Sequence, residues 1–478
     1  MNWLNKHLSF KTDLLVTLLN GLVVVGGVFI LNGLIARIYG LNVLGEFLLV
    51  KRILSSAVGI LLIGMSVGLP NYLSRDFDRS LGDNAFLLFC FITVPLTILF
   101  IAGILWFKIT GFYHEYFWVY IILSLGISAQ FIAYALFRGY MNMLGANVLQ
   151  LLGTAIIPIF IFTLGLNLYD AMFFIGSTIL AIMVFAYLSR NKGFNIHDIN
   201  IAQSKIMIKY GLERIPSFAS QFILLAGVPL IIAQTVNFES VAYFNSSLSL
   251  VRLSLLIVNP IGMVMLPRIS NKIASGAKND VKNILSLFIK AGIIFSVIGT
   301  VYCYINANLI LKVWLGEVSE IGISILHIVI LALPFYTFSG LARSPIDAVS
   351  ERGYNSLIYG LAAVSMIIII FVGKLYNLNM LTTALISFLF SHIVAGVGSF
   401  YYLQKLYKYS FLDFKLIRDI AASIIIIITI SKTVAYTNMS IVAQFILTNM
   451  IYVIIGIMIF KFIKTGWIAE LKTKIYAK

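Results

Sequence analysis

Charge is scarce in this chain, and negative charge is scarcest. Charged residues make up only 11% of its 478 positions, with 18 acidic against 34 basic side chains. A soluble globular domain carries roughly 25% charged residues, so a water-exposed surface of ordinary composition is excluded. Cysteine is nearly absent: Cys90 and Cys303 both lie in apolar runs, which rules out a disulfide framework. The histidines, among them His114, His197, His327 and His392, have no metal-ligand spacing with each other or with a carboxylate. The alternating ten-residue segments of a membrane barrel are missing as well.

What fills the chain is hydrophobic, at 60% of residues. Apolar runs of about 20 residues recur along it, the length a helix needs to cross ~30 Å of hydrocarbon. They define an all-α polytopic membrane protein with about fourteen transmembrane helices, roughly at 12–36, 45–69, 84–107, 116–137, 146–166, 169–189, 211–234, 240–266, 284–310, 321–341, 355–375, 380–403, 417–435 and 440–462. Lys6 and Lys11 precede a first run too long for a secretory signal, so it reads as an uncleaved helix. Alternate connections such as "SRNKGFNIHDINIAQSKIMIKYGLER" and "PRISNKIASGAKNDVKN" hold most of the lysine and arginine, as do both tails. By the positive-inside rule these are cytoplasmic, together with both termini, and the +16 net charge needs no nucleic-acid partner. The opposite loops, such as "LNLYD" and "AYTNMS", are short and nearly free of cations.

The two halves echo one another. "LIARIYGLNVLGEF" (34–47) aligns without gaps on "IIAQTVNFESVAYF" (231–244), pairing Ile35 with Ile232, Ala36 with Ala233 and Phe47 with Phe244. The same offset superposes Leu69-Pro70 on Leu266-Pro267. Six helices separate the copies, so the repeat is parallel, with a pseudo-two-fold axis along the membrane normal. The expected organisation is a first six-helix lobe over 1–190, a cytoplasmic linker over 191–210, a second six-helix lobe over 211–404, and two further helices with a basic tail over 405–478. The linker contains "IAQSKIMIKYGLERI", apolar and basic at helical spacing; it is either an amphipathic helix on the inner membrane surface or a plain connector.

"LIARIYGLNVLGEFLLV" resembles the Arg-x-x-Gly-x-x-x-x-Gly-x-(Phe/Tyr) hairpin after the first helix of polysaccharide transporters, and "GLPNYLSRD" and "VWLGEVSE" resemble further landmarks of that family. These are the O-antigen and lipid-linked oligosaccharide flippases of the multidrug/oligosaccharidyl-lipid/polysaccharide exporter superfamily. The chain departs from them at "ILLAGVPLIIAQ" and "SVAYFN", where the family often has an Asp and a Gly before an aromatic residue. The resemblance implies a V-shaped pair of pseudo-symmetric lobes, as in the drug exporters of that superfamily, that moves an undecaprenyl-pyrophosphate-linked glycan from the cytoplasmic to the outer leaflet of the bacterial inner membrane. It implies no covalent chemistry and no cofactor. The partners implied are the lipid-linked substrate, membrane lipids, and a polysaccharide polymerase and other assembly proteins.

Moving a pyrophosphate past hydrocarbon demands cations that replace its lost hydration. Arginine suits phosphate through its fork of donors and lysine as a point charge. Arg52 and Lys51, a turn or more inside span 2, and Arg252 in span 8 are the leading candidates. Under the repeat offset Arg252 corresponds to Ser55, one turn from Arg52. The competing reading has Lys51 and Arg52 snorkelling outward. Arg138, Arg214 and Arg343, at cytoplasmic helix ends, are candidates to receive pyrophosphate at the inner mouth. Asn32, Gln221 and Asn245 are candidates for sugar contact, with interhelical hydrogen bonding as the alternative. Arg37 is a further candidate for the substrate cavity, with a tie to Glu46 across the first hairpin as the alternative, and Lys290 is expected to snorkel to the cytoplasmic face. Pro95, Pro158, Pro229, Pro260 and Pro334 mark kinks within helices.

Two other transporter readings stand beside this one: a lipid II flippase, and a cation-coupled drug exporter, which would place carboxylates at helix centres where this chain has arginine. A membrane glycosyltransferase or polymerase would need a catalytic group on a long outer loop, and the outer loops here are short. No nucleotide-binding motif is present, which leaves an ion gradient, the membrane potential or downstream consumption as the energy source.

Overall fold

The computed structural model describes residues 10–76, 78–195, 199–256, 258, 278–349, 353–408 and 443–450, with scattered positions between 418 and 429. Among the described residues every regular element is helical. Ten helices there are long and apolar enough to cross a membrane, and the pair Leu41–Leu61 and Met65–Ser74, bent by 49°, makes an eleventh span. These eleven correspond to the expected spans apart from three. The span expected at 240–266 is described only over its beginning. Those at 417–435 and 440–462 lie outside the described residues, save scattered positions and a helical stretch at 443–450. The second-half match around Leu266-Pro267, Pro260 and His197 also fall outside.

The chain divides into two compact units, one comprising Met1–Asn245 with Ile370–Ala384, the other Ser246–Ile369 with Leu385–Lys478. In the first, α1 (Phe10–Tyr39) turns at Gly40 into α2 (Leu41–Leu61), and α3 (Met65–Asp76) follows a break. Gly40 takes φ 87°, a left-handed conformation that a side chain would strain, so the hairpin glycine is a geometric requirement. Then come α4 (Arg79–Trp106), α5 (Phe117–Gly139), α6 (Met143–Phe162) and α7 (Leu168–Arg190). The linker helix α8 (Ile201–Leu212), α9 (Ile215–Thr235) and the start of α10 (Phe238–Arg252) complete the unit's main helices. Large apolar side chains such as Phe91, Leu99, Trp106, Phe160 and Phe185 are exposed on it, as lipid-facing residues should be.

Helix association in lipid depends on close backbone approach rather than on hydrophobic burial, and small residues permit it. A Cβ on Gly126 of α5 would stand 2.5 Å from the Gly176 carbonyl oxygen of α7. Among the described residues the closest such approach joins α2 to α10: a Cβ on Gly45 would lie 1.7 Å from the Phe238 carbonyl oxygen and 3.2 Å from the Ala242 nitrogen. The offset that pairs Phe47 with Phe244 also pairs Gly45 with Ala242. Two positions that the sequence offset pairs therefore lie in contact.

Span 2, expected to be continuous over 45–69, is broken. Leu62, Ile63 and Gly64 form a turn in which Ile63 and Gly64 take φ 44° and 66°. The Thr93 hydroxyl donates to the Leu61 carbonyl at 3.1 Å, satisfying an oxygen released at the break. Thr93 ends a π-helical turn, Phe89–Thr93, directly ahead of Pro95; a second π turn, Leu152–Ile156, precedes Pro158 in the same way. In both cases a proline without an N–H follows a widened turn, so the kink takes a π form. Gly211 of α8 closes over the break, with a position for Cβ only 1.8 Å from the Ile63 carbonyl oxygen.

In the second unit α11 (Lys278–Ile305), α12 (Ala307–Leu315), α13 (Glu320–Ile330), α14 (Leu333–Val349), α15 (Tyr354–Leu375) and α16 (Met380–Tyr407) follow in order, the last two contributing residues to both units. α13 and α14 form one long span interrupted at Leu331 and Ala332, immediately before Pro334. Lys290 does not reach the surface as expected: it is buried within α11, at 7% exposure.

These contacts set a stability test. Gly211→Ala forces the linker backbone away from Ile63 and should cost about 1–3 kcal/mol. Gly103→Ala, with nothing within 4 Å of the new methyl, should leave the melting midpoint in detergent unchanged or raised.

Candidate functional site

Arg52 lies half-buried in the fourth turn of α2. Its Nε donates to Oδ1 of Asn245 on α10 at 3.1 Å. Asn245 is buried to 1% exposure, and its amide nitrogen donates back to the Val241 carbonyl at 3.2 Å, which fixes the face its oxygen presents. The Ser55 and Ser56 hydroxyls both donate to the Arg52 carbonyl, at 3.3 and 2.6 Å. Two sequence-predicted residues, far apart in the chain, are thus brought together inside one unit. Lys51 is half-buried beside them, with Nζ 5.5 Å from the Phe47 ring centroid. Neighbours on a helix point about 100° apart, so Lys51 and Arg52 serve different directions.

The other expected residues are dispersed. In the first unit Asn32 is buried at 1% exposure, and among the described residues neither atom of its amide has a hydrogen-bond partner. Gln221 is half-buried on α9, 3.4 Å from the Ser217 hydroxyl. Arg138 ends α5 over the Tyr134 ring at 5.5 Å. Arg214 joins α8 to α9, stacked at 3.5 Å on the Tyr210 ring and bonded to the Tyr210 carbonyl at 3.1 Å. Arg37 is exposed in the last turn of α1. In the second unit Arg252 is half-buried at the end of α10, and Arg343 is exposed on α14, 5.9 Å from the Tyr359 ring.

Glu46 has a different partner from the one expected. Its carboxylate accepts from the Tyr169 hydroxyl at the start of α7. The Tyr169 ring stacks on Tyr116 at 3.5 Å and 4°. This aromatic cluster, with Tyr113 and Tyr120, gathers the ends of α2, α5 and α7 around one carboxylate. The sequence signal was the tyrosines gathered in two connections, Tyr113 and Tyr116 in one and Tyr169 in another, a pattern that the first hairpin alone does not reveal.

A second polar cluster was missed entirely. Asp78 caps α4 by accepting from the Ser80 nitrogen at 2.9 Å and hydroxyl at 2.6 Å, and it receives the Gln203 amide at 3.0 Å. The Ser80 hydroxyl chiefly, with the Ser80 backbone and Gln203, holds the Asp78 carboxyl below the ordinary carboxylate range. Asp83 is fully buried one turn on and accepts from the Asn191 amide at 2.9 Å, while Arg79 Nε lies 3.9 Å from it. Among the described residues no group of three or more His, Cys, Asp or Glu is arranged to hold a metal.

The fold built from these helices is shared with solved membrane proteins. The chain is similar to an inward-facing multidrug resistance MATE family transporter of the MOP superfamily, with TM-score 0.67 and 15% identity over 83% of this chain and 98% of that one. It is likewise similar to the lipid II flippase MurJ in an inward closed conformation, with TM-score 0.64 and 15% identity over 95% of this chain and 99% of that one. An outward-facing MATE transporter gives TM-score 0.58 at 16% identity. No family model matches the sequence, and no curated protein matches it.

Two measurements test this geometry. A double-mutant cycle of Arg52→Ala and Asn245→Ala, read by unfolding in detergent, should return a coupling of about 1.5–3 kcal/mol, as for a hydrogen bond to a charged group. Because the folded Asp78 value is depressed, its contribution is present above the ordinary carboxylate value of about 4 and is lost as pH falls through the lowered one. Asp78→Asn should therefore flatten the acid side of the stability profile.

Proposed function

We propose that this protein is a flippase that moves an undecaprenyl-pyrophosphate-linked oligosaccharide, an O-antigen or other surface polysaccharide unit, from the cytoplasmic to the outer leaflet by alternating access. The observation that carries the proposal is Arg52, a cation within a membrane span whose Nε bonds a buried asparagine of another span. An arginine in hydrocarbon is costly, and such residues turn toward a bundle interior or a polar pathway. Arginine carries a fork of donors that matches phosphate oxygens, which is the chemistry a pyrophosphate cargo requires. The overall fold supports the reading, since the lipid II flippase and the MATE exporters share it.

Within this reading Arg52, Lys51 and Arg252 bind pyrophosphate. Arg138, Arg214 and Arg343 receive it at the inner mouth, Arg37 lies at the outer end, and Asn32, Gln221 and Asn245 contact sugar. The polyprenyl tail stays in lipid. Both termini face the cytoplasm of a bacterial inner membrane, and no covalent chemistry takes place. The energy comes from an ion gradient, the membrane potential or consumption of the flipped unit by a polymerase.

A drug exporter of the same fold is disfavoured by the placement of the acids. Glu46 sits in the first turns of α2, engaged by Tyr169, and Asp83 lies in the first turns of α4, engaged by Asn191. Neither is placed at the centre of a span to pair with a cationic drug. A lipid II substrate presents the same pyrophosphate chemistry, and sugar analysis separates the two.

The test is complementation of flippase-null strains. The parent protein should restore surface polysaccharide. Arg52→Ala and Arg252→Ala should each reduce it at least tenfold while the protein remains in the membrane at parental level. Normal polysaccharide from both variants would remove the pyrophosphate assignment. Rescue of a lipid II flippase-null strain alone would reassign the substrate.

A further inference from the structure

The linker helix α8 has two faces of different kinds. Ser204, Met207 and Gly211 are buried against the first unit. Lys205 and Lys209 stand exposed on the opposite side. Ile201, Ile206 and Leu212, at 70, 54 and 51% exposure, flank them. At 100° per residue the two lysines form the middle of the exposed arc, with Ile206 on one edge and Ile201 and Leu212 on the other.

The helix cannot turn this face away, because hydrogen bonds fix its rotation. Asn200 caps it through the Ala202 and Gln203 nitrogens, at 2.9 and 3.4 Å. The Gln203 amide nitrogen donates to Asp78 at 3.0 Å, its oxygen accepts from the Asn84 amide at 3.0 Å, and the Ser204 hydroxyl donates to Asn84 at 2.8 Å. Farther along, the Tyr210 ring meets Tyr72 edge-on at 5.5 Å. Asp78 immediately precedes one membrane span, Ser80 and Asn84 belong to its first turns, and Tyr72 lies near the end of another. α8 is therefore fastened near the ends of two candidate membrane spans, with the arc exposed.

We propose that this arc binds anionic phospholipid headgroups of the cytoplasmic leaflet, the lysines reaching phosphate while the three aliphatic side chains enter the acyl boundary. The proposal rests on the topology assigned above, though not on the transported substrate. Long lysine stems can lie along apolar surface with the ammonium at phosphate depth. Each lysine near an anionic surface biases binding about fivefold. Exposed aliphatic residues on a basic helix find their partner at such an interface.

The full chain, with Cys90→Ser and Cys303→Ser, carries a spin label at Ile206→Cys or Leu212→Cys and is reconstituted into phosphatidylcholine vesicles with or without phosphatidylglycerol. Collisions with oxygen and with a nickel chelate then report the label's depth. With phosphatidylglycerol, oxygen should dominate at both sites. Lys205→Gln with Lys209→Gln, or high salt, should lower the oxygen-to-nickel ratio several-fold. A water-like ratio in phosphatidylglycerol vesicles would overturn the proposal. So would a label shielded from both reagents, which would mean that a second copy covers the face. An unchanged ratio after lysine replacement would overturn the headgroup assignment. Polysaccharide export is scored separately, so loss of one readout does not entail loss of the other.

Discussion

No backbone oxygen can be left without a donor in hydrocarbon, and this requirement governs where the helices of the chain break. α2 ends at Leu61 inside the span, and its carbonyl would be an orphan if Thr93 did not donate to it. Thr93 is in position because α4 opens into a π turn at that level. The widened turn in turn suits Pro95, which has no N–H to offer the preceding carbonyls. A proline in one helix and a break in its neighbour are thus two ends of a single arrangement, and Gly211 lets the linker backbone close over it.

The same economy appears in the crossing of α2 and α10. The offset between the two halves makes Gly45 and Ala242 equivalent, and the structure brings them into contact. Only small residues tolerate such an approach, which accounts for a glycine and an alanine at these two positions. One turn or two farther along, the symmetry is deliberately unequal. Arg52 corresponds to Ser249, and its acceptor Asn245 corresponds to Leu48. The asymmetry gives one arginine one buried amide.

Some of this was legible in the residues. Hairpin positions, span lengths and the intramembrane arginine follow from apolar periodicity and cost, which act locally. The break at Leu62–Gly64 did not show, because every residue there is apolar or glycine and the hydrophobic run continues through it. The pairing of Glu46 with Tyr169 was equally hidden: the nearer cation Arg37 is the natural guess from sequence, but the last turn of α1 leaves it exposed. Lys290 was misjudged for a related reason. Its position near a helix start suggests snorkelling, whereas the packing of α11 buries it. Partners that lie a hundred residues away decide such cases.

The linker illustrates how a polar segment acquires a defined place in a membrane protein. Its residues alone allow either a loose connector or a surface helix. Asp78 and Asn84 make it a docked helix, because their side chains meet Gln203 and Ser204 with the segment helical and in one rotational setting. That setting leaves the lysines outward and places Gly211 over the break in span 2. A helix held at both its polar start and its glycine end transmits any tilt of one to the other. The contact between linker and broken span is therefore mechanical as well as structural, and bending at Ile63 requires α8 to move or to release Gly211.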